Sequence, residues 1–499
     1  MQINLISCII KLEFLVNMDF LNIYFGGEVF DEKSILKKVV CLFVILCFVT
    51  VSFSTSIFAA DNESVILGDI NGDSKIDSID LSLLKKYILK IINDIPNEGI
   101  KAADVNADGE VNSIDFSWLK KYLLRAVKKL PGDVEKSAGS IIQFQSGNAH
   151  SVILKNDGTV WVLGDNRRGQ LGLSEVSSLN EPVMITGLTG VKSVTAGLEH
   201  TLALTEDGTL WAWGNNYSLQ LIDYTERDPD TGERFINTPI KVETHSDVKY
   251  VTANYSRTLV IKNDGTVWLH SLPPIKNSKD SDYISWEVKG LVDIKMADIG
   301  IGHIVTLRED GTVWTWGENV WGQLGNGAQQ HHNIHSYSYF EPSQAKNLTD
   351  VVAIAAGETH SVALKSDGTV WTWGGNFYGE LGNGTTTYIL EPRKVEGLED
   401  IVAIDAGSSH TVALKADGTV WVWGKNSFGQ LGNGTTMRST VPVKVEGLNG
   451  VIGIYAGTEC TIAYKNDGTV WAWGKNDFGQ LGDGTFENIL RPVKVFDKE

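Results

Sequence analysis

The stretch GETHSVALKSDGTVWTWGGNFYGELG, residues Gly357–Gly382, decides the fold of this chain. Close variants of it recur seven times between about residue 147 and the C-terminus. Each copy carries an Asp-Gly pair, and the aspartates stand at Asp157, Asp207, Asp264, Asp310, Asp367, Asp417 and Asp467. A repeat of roughly 50 residues with strand-like runs is typical of a propeller or a similar array.

Three intervals inside the repeat never vary. The position 7 residues before the aspartate is histidine in five copies, and the position 6 residues after it is tryptophan in five copies. A third fixed position, 18 residues before the histidine position, is proline in five of the six places where it can be measured. All variation in length falls between the tryptophan position and the next proline. The sequence therefore predicts a rigid unit with one variable loop.

Alternating runs flank each Asp-Gly pair, as in HSVALK and TVWTWG. Alternation at period two indicates half-buried strands, and Asp-Gly predicts a type I′ hairpin turn, which needs positive φ at both central residues. Runs such as VVAIAAG and PRKVEGL add a strand on either side. About four strands per repeat make a propeller blade, and seven such sheets can bury their faces by packing radially.

The repeats resemble those of the regulator of chromosome condensation family, through AGETHSVALKSDGTVWTWG and NSFGQLGNGT. The resemblance covers about residues 141–499 and implies a mostly β fold, a seven-bladed β-propeller. The second copy has SLQLID at 218–223 in place of GQLG, and the third copy has lost the motif. We expect a remodelled frame in those two blades.

A shorter duplication precedes these repeats. DINGDSKIDSIDLSLLKKYIL from Asp69 and DVNADGEVNSIDFSWLKKYLL from Asp104 align without gaps at an offset of 35 residues. Each begins with the ligand spacing of a calcium loop, in which position 7 gives a backbone carbonyl. The predicted ligands of two Ca²⁺ ions are Asp69, Asn71, Asp73, Lys75, Asp77, Asp80, Asp104, Asn106, Asp108, Glu110, Asn112 and Asp115.

A helix is predicted after each loop, because Leu81, Leu84 and Ile88, and likewise Phe116, Leu119 and Leu123, recur at helical spacing. The two loop-helix units resemble the type I dockerin, which docks onto cohesin domains of the scaffolding protein in bacterial cellulosomes. This resemblance implies a small all-α domain, two bound Ca²⁺ ions and a cohesin partner. The family's cohesin contacts correspond to Ser78, Ile79, Lys85, Lys86, Ser113, Ile114, Lys120 and Lys121. Without the resemblance, the lysine pairs would be read as a solvated helix face.

Residues 33–60, KSILKKVVCLFVILCFVTVSFSTSIFAA, combine a basic start, an apolar run over 39–51 and a small-residue end. This pattern predicts a secretory signal, and an uncleaved anchor is the alternative. Of the four cysteines only Cys460 lies outside the leader, so no internal disulfide is expected in the mature chain. The expected organisation is a leader at 1–60, a dockerin at 61–131, a linker at 132–140 and a propeller at 141–499, in a secreted, extracellular protein.

The formal net charge of −18 argues against a nucleic-acid or anionic-membrane partner. The propeller family includes an exchange factor for a nuclear GTPase and secreted bacterial inhibitors of β-lactamases. A secreted acidic chain is expected to bind no small GTPase. Each apparent catalytic group is repeated, and the histidine appears in five copies at one fixed position, so the histidines are expected to be hydrogen-bonded packing residues.

The favoured function is therefore non-catalytic binding of a protein or a polysaccharide, delivered to a cellulosome. A carbohydrate-active enzyme that degrades polysaccharides and an inhibitor of a secreted enzyme remain alternatives.

The variable loops are predicted to crowd one rim of the disc, because they all leave their blades at one topological position. The enlarged loops are those of the second and fourth repeats, 215–238 and 318–341. Neutral insertion is the alternative, since loops lengthen at little entropic cost. The aromatic residues predicted to bind the propeller ligand are Tyr217, Tyr224, Phe235, Trp321, Tyr337, Tyr339 and Phe340.

Overall fold

The computed structural model describes residues 141–496 apart from 176, 219, 222–233, 271–284 and 330–340, together with seven isolated residues between 70 and 119. The predicted signal at 33–60, the calcium ligands and the cohesin contacts lie outside the described residues. Within the described part, the protein contains no helix with the length and apolar character needed to cross a membrane.

The isolated residues of the duplicated module include three pairs that are 35 residues apart. The two members of each pair have the same environment. One pair is buried in the loops, one pair is half-buried, and one pair is buried and helical. These pairs are Ile70 with Val105, Ile76 with Val111, and Leu84 with Leu119. The equal burial of equivalent residues indicates that the two halves are built alike.

Twenty-eight strands form the described propeller. Those of the first four sheets are β1 Ile141–Ser146, β2 His150–Lys155, β3 Val160–Gly164, β4 Leu179–Met184, β5 Val191–Ala196, β6 His200–Thr205, β7 Leu210–Asn215, β8 Phe235–Lys241, β9 Val248–Asn254, β10 Arg257–Lys262, β11 Val267–His270, β12 Ser285–Glu287, β13 Ile294–Ile299, β14 His303–Arg308, β15 Val313–Gly317 and β16 Ser343–Gln344. Those of the last three are β17 Val351–Ala356, β18 His360–Lys365, β19 Val370–Gly374, β20 Ile389–Lys394, β21 Ile401–Ala406, β22 His410–Lys415, β23 Val420–Gly424, β24 Ser439–Lys444, β25 Val451–Ala456, β26 Cys460–Lys465, β27 Val470–Gly474 and β28 Ile489–Val495.

Four consecutive strands pair in chain order in each sheet, which gives seven four-stranded blades. The pairing is antiparallel throughout, as it must be when short loops join neighbouring strands. The first strands of the blades line a central channel. The prediction of a mostly β, seven-bladed propeller is confirmed.

The Asp-Gly hairpins form as predicted, but the type I′ assignment is wrong. In the Asp-Gly turn of blade 1, Gly158 alone has a positive φ, +78°, and its N–H donates to the Lys155 carbonyl at 2.9 Å. The Asp157 carboxylate accepts from the N–H and the hydroxyl of Thr159 at 3.0 and 2.6 Å. Because this local bonding satisfies the turn, the aspartate stays in the ordinary region and the glycine alone is left-handed.

The repeated proline lies in the fourth, outermost strand of its blade. Examples are Pro182 in β4, Pro392 in β20 and Pro442 in β24. The outer edge of such a strand has no partner in its sheet, so a residue without an N–H costs nothing there. Proline also hinders pairing with the edge of another molecule. The free outer edge explains why proline is tolerated at this repeated position.

Adjacent blades are joined by a buried group of hydrogen bonds that repeats around the disc. Between blades 5 and 6, His360 Nε2 lies 3.1 Å from Thr411 Oγ1, and that hydroxyl donates to the Glu380 carbonyl at 2.8 Å. The same carbonyl accepts from Trp423 Nε1 at 2.8 Å. We call this set of bonds the blade relay. The histidine-to-hydroxyl bond also joins blades 1 and 2, 2 and 3, 4 and 5, and 6 and 7.

Three interfaces depart from the pattern. Between blades 2 and 3, His270 occupies the tryptophan position, and its Nε2 lies 3.0 Å from His245 Nε2. Between blades 3 and 4, Arg257 replaces the histidine, and Trp316 Nε1 has no hydrogen-bond partner among the described residues, although Trp316 is only 1% exposed. At the seam between blades 7 and 1, Cys460 and Leu163 occupy the histidine and tryptophan positions. The seam keeps the hydroxyl bond, from Ser151 Oγ to the Gln480 carbonyl at 2.7 Å. Tyr455 adds a bond to the Ser146 carbonyl at 3.0 Å, so the ring is closed.

The tryptophan bond of the relay should be measurable by comparing Trp373→Phe with Trp316→Phe. Both changes shrink a buried ring, but only Trp373 Nε1 donates a bond, to the Gln323 carbonyl at 2.9 Å. A lost bond costs about 1 kcal/mol, whereas removing an unsatisfied N–H costs nothing further. In urea titrations, we expect Trp373→Phe to lower the free energy of unfolding by about 1 kcal/mol more than Trp316→Phe does. Equal losses in the two variants would contradict a stabilising role for this bond.

Candidate binding face

The two faces of the disc carry different loops. The turns between first and second strands and the connections between third and fourth strands leave one face, which we call the loop face. The Asp-Gly turns between second and third strands lie on the opposite face, the Asp-Gly face. Every variable segment is a connection between third and fourth strands. All of them therefore begin and end on the loop face.

A buried asparagine, followed by a buried glutamine or glutamate, holds the start of each connection outside blade 3, whose connection is not described. In blade 6, Asn426 Oδ1 accepts from the Leu431 N–H at 2.9 Å, and Gln430 Oε1 accepts from the Phe428 N–H at 3.0 Å. Blade 5 has Glu380 at the glutamine position, where its carboxylate accepts from the Tyr378 N–H at 2.7 Å. The residues between these two anchors are fixed by the turn and point away from the core.

Aromatic and cationic side chains at these fixed positions contact each other across blade boundaries. Phe428 lies against Lys475, with the ammonium 5.1 Å from the ring centroid, and Phe478 lies against Arg167 at 5.1 Å across the seam. Arg168 lies 5.4 Å from the Tyr217 ring. We call the set the aromatic belt; its members are Arg167, Arg168, Tyr217, Trp321, Phe377, Tyr378, Lys425, Phe428, Lys475 and Phe478.

The belt is most apolar over blades 4 to 6. The rings of Trp321 and Phe377 meet edge to face at 4.7 Å, and Trp321 contacts Tyr388 at 5.9 Å. Phe377 is 45% exposed and nearby Met437 is 73% exposed. Rings needed only for packing are fully buried here, as Trp373 is. Exposed contiguous aromatic residues on a rigid turn are typical of a binding surface.

The predicted ligand-binding aromatics are only partly described. Tyr217 and Trp321 belong to the belt, and Phe235 opens β8 as a half-buried residue. Tyr224, Tyr337, Tyr339 and Phe340 lie outside the described residues. Sequence reasoning missed Phe377, Tyr378, Phe428 and Phe478, because near-consensus repeats were treated as frame. An aromatic residue directly before the GQLG or GELG motif in blades 4 to 7 was the available signal.

One carboxylate on the inner side of the belt pairs with both of its lysines. Glu459, on the turn after β25, pairs with Lys425 and lies 3.5 Å from Lys475. Neighbouring Glu358 is half-buried, and this burial raises its pKa, which Lys425 opposes. Arg167 pairs likewise with Asp165 at 2.9 Å. Arg167, Lys425 and Lys475 therefore each lie beside a carboxylate, and the two lysines share Glu459.

The central channel encloses a cavity of about 240 Å³. Its two carboxylates are structural, because Asp298 and Asp405 accept the backbone N–H of Ala356 and Ala456 in the next blade, each at 2.8 Å. Burial raises their pKa to about 6 and about 7. Tyr255 spans the channel and its hydroxyl lies 3.2 Å from Ser408 Oγ. Its φ of +49° is rare for an aromatic residue and marks local strain.

Family models match both parts of the chain. The RCC1-like domain matches residues 275–498, and the regulator of chromosome condensation (RCC1) repeat matches residues 141–170, 157–204 and 191–220. The type I dockerin domain matches residues 67–124. The chain carries a type I dockerin and an RCC1-type propeller.

Known relatives of the RCC1-type propeller are distant. The human E3 ubiquitin-protein ligase HERC2 is 32% identical over 260 residues, which are 50% of this chain and 5% of that protein. Human WBSCR16 superposes with a TM-score of 0.60 at 22% identity, covering 68% of this chain and 94% of that one. Prp20p of Saccharomyces cerevisiae superposes with a TM-score of 0.58 at 22% identity, and the match covers 74% of this chain and 90% of that one. The chain thus spans a small part of the curated relative, and the solved structures share its fold.

The repeated histidines of the RCC1-type propeller are packing residues, as expected from the sequence. The hydroxyl proton of Thr411 is used on the Glu380 carbonyl, so His360 Nε2 must carry the proton of their shared bond. The imidazole is neutral with a bare Nδ1. Burial lowers the pKa to about 3 in His200, His303 and His360 and to about 4 in His150 and His410. None of them is a charged imidazolium at neutral pH.

These lowered pKa values link stability to pH. Below the unfolded pKa of about 6.5, the unfolded chain protonates each imidazole while the folded chain does not, so this stability is lost as pH falls from about 6.5 towards 3. Asp298 and Asp405 act with the opposite sign between about pH 7 and 4. We expect His360→Gln to take up about one proton fewer on unfolding at pH 5. At pH 8 the difference should vanish; an unchanged uptake at pH 5 would show that His360 is charged in the fold.

Proposed function

We propose that this protein is a secreted cellulosome component whose dockerin docks onto a scaffolding cohesin and whose propeller binds a ligand without catalysis. The observation that carries the proposal is the pairing of a type I dockerin match at 67–124 with a propeller whose loop face presents exposed aromatic residues. Delivery to a scaffold and recognition of a ligand are then separate tasks of separate modules.

Calcium supports the dockerin half of the proposal. Two loops with the oxygen spacing of calcium sites place many carboxylates together, and these repel one another without a cation. The module is about 65 residues long and no disulfide is expected in it, so its own core is small. The equivalent burial of Leu84 and Leu119 fits two matching halves. We propose two Ca²⁺ ions, held by the ligands predicted from the sequence.

The propeller half is supported by how its polar groups are used. The histidines complete the blade relay, the channel carboxylates hold neighbouring blades, and Arg167 and the belt lysines pair with carboxylates. Groups engaged in this way serve the scaffold. The exposed rings of the loop face are left for recognition, which favours a binding module.

Cohesin binding should depend on calcium and tolerate loss of either half of the dockerin. The segments SIDLSLLKKYIL and SIDFSWLKKYLL offer the same contact groups twice. Replacing Ser78 and Ile79 by alanine should leave the affinity of the full chain for a type I cohesin within about threefold. Replacing Ser113 and Ile114 as well should abolish it, as should a chelator, measured by isothermal titration calorimetry.

The double variant at Ser113 and Ile114 is the matched control and should behave like the first. Loss of binding in either double variant alone would rule out two equivalent modes. Full binding in the presence of chelator would rule out the calcium sites.

A further inference from the structure

We propose that the loop face over blades 4 to 6 binds a protein through an uncharged apolar patch on that partner. The inference rests on the proposed function and names the class of its ligand. The surface consists of Trp321, Phe377, Tyr378, Tyr388 and Met437, which we call the apolar patch. Aromatic residues and methionine are enriched at the centres of protein interfaces.

The patch is continuous across the blade boundaries. Trp321 of blade 4 packs against Phe377 and Tyr388 of blade 5. Arg438 of blade 6, which follows Met437, donates to the Phe377 carbonyl at 3.1 Å. Tyr378, Phe377 and Tyr388 are 38%, 45% and 37% exposed. Three blades thus contribute to one exposed surface.

The geometry of the rings favours a protein over a sugar polymer. A sugar stacks on a free aromatic face, but Lys425 lies 5.5 Å from the centre of the Tyr378 ring. Trp321 and Phe377 meet edge to face, which sets their planes at 87° and leaves no common platform. Such a surface offers ring edges and a flexible thioether, which adapt to apolar side chains.

The charges of this chain also favour an uncharged protein surface as the partner. The chain has a formal net charge of −18, and the belt lysines and Arg167 are already paired with Glu459 and Asp165. An anionic polymer would have to displace these carboxylates. An uncharged apolar surface would not, so binding should be driven by apolar burial and depend little on salt.

The patch is fixed before binding occurs. Phe377 and Tyr378 lie between Asn376, whose Oδ1 accepts from the Leu381 N–H at 3.0 Å, and Glu380, whose carboxylate accepts from both of their N–H groups. Ordering loops and side chains is a main cost of association. A turn that is already ordered avoids that cost.

The test compares two double variants of the full chain. Phe377→Ser with Met437→Ser removes the centre of the patch. Ile142→Ser with Val292→Ser removes apolar residues of similar exposure, 43% and 58%, from β1 and from the link between β12 and β13 on the Asp-Gly face. Proteins of the culture supernatant are captured on immobilised wild type, and the captured protein is purified and titrated by calorimetry. Polygalacturonate and arabinoxylan are titrated in parallel, and reducing-sugar release from both is measured.

The expected result is that the captured protein binds wild type and the Asp-Gly-face variant equally, and binds the patch variant at least about tenfold more weakly. Its affinity should change less than about threefold between 50 and 500 mM salt. Matching unfolding temperatures of the two variants exclude a folding defect. Equal binding by both variants, or no captured protein, overturns the inference. A polysaccharide that binds and is lost in the patch variant overturns the ligand class but not the proposed function, whereas sugar release would overturn the proposed function.

Discussion

The disc depends on one buried carbonyl at each regular blade interface. Its oxygen, at Glu380 between blades 5 and 6, accepts a threonine hydroxyl and an indole N–H from the next blade. That hydroxyl in turn accepts from Nε2 of His360 in blade 5. Because an unpaired buried donor or acceptor costs free energy, these bonds favour one position of each blade on the next. Packing of tryptophan against the neighbouring blade adds the apolar part of the interface.

The same turn that supplies this carbonyl also presents the aromatic belt. The carbonyl belongs to the glutamine or glutamate whose side chain anchors the turn from within, and the exposed rings lie just before it. Stability and recognition thus share a short segment, with its polar groups turned inward and its rings turned outward. Blade 3 has lost the motif from its sequence, and Trp316 of the next blade has an N–H without a partner among the described residues.

The architecture could be predicted from the sequence because period, hairpins and fixed intervals all agree on a blade. Finer features could not. The prediction of the turn type was wrong because the Asp157 carboxylate accepts a hydrogen bond from the Thr159 N–H, and hydrophobic periodicity does not reveal such a bond. The repeated proline was visible in the sequence. Its place in an outer edge strand, where proline is tolerated, became clear only from the order of strands in the sheet. Phe377 and Tyr378 were missed because a repeated residue can serve the scaffold or a ligand, and only exposure separates the two.

The central claim is that the loop face, and not the channel or the Asp-Gly face, recognises the ligand of the propeller. Hydrogen–deuterium exchange of the full chain, with and without the purified protein that it captures, tests this most directly. The account predicts slower exchange on binding in the turns at 376–381 and 426–431, and unchanged exchange in the Asp-Gly turns such as 366–368. Protection confined to the Asp-Gly turns or to the channel strands would contradict it.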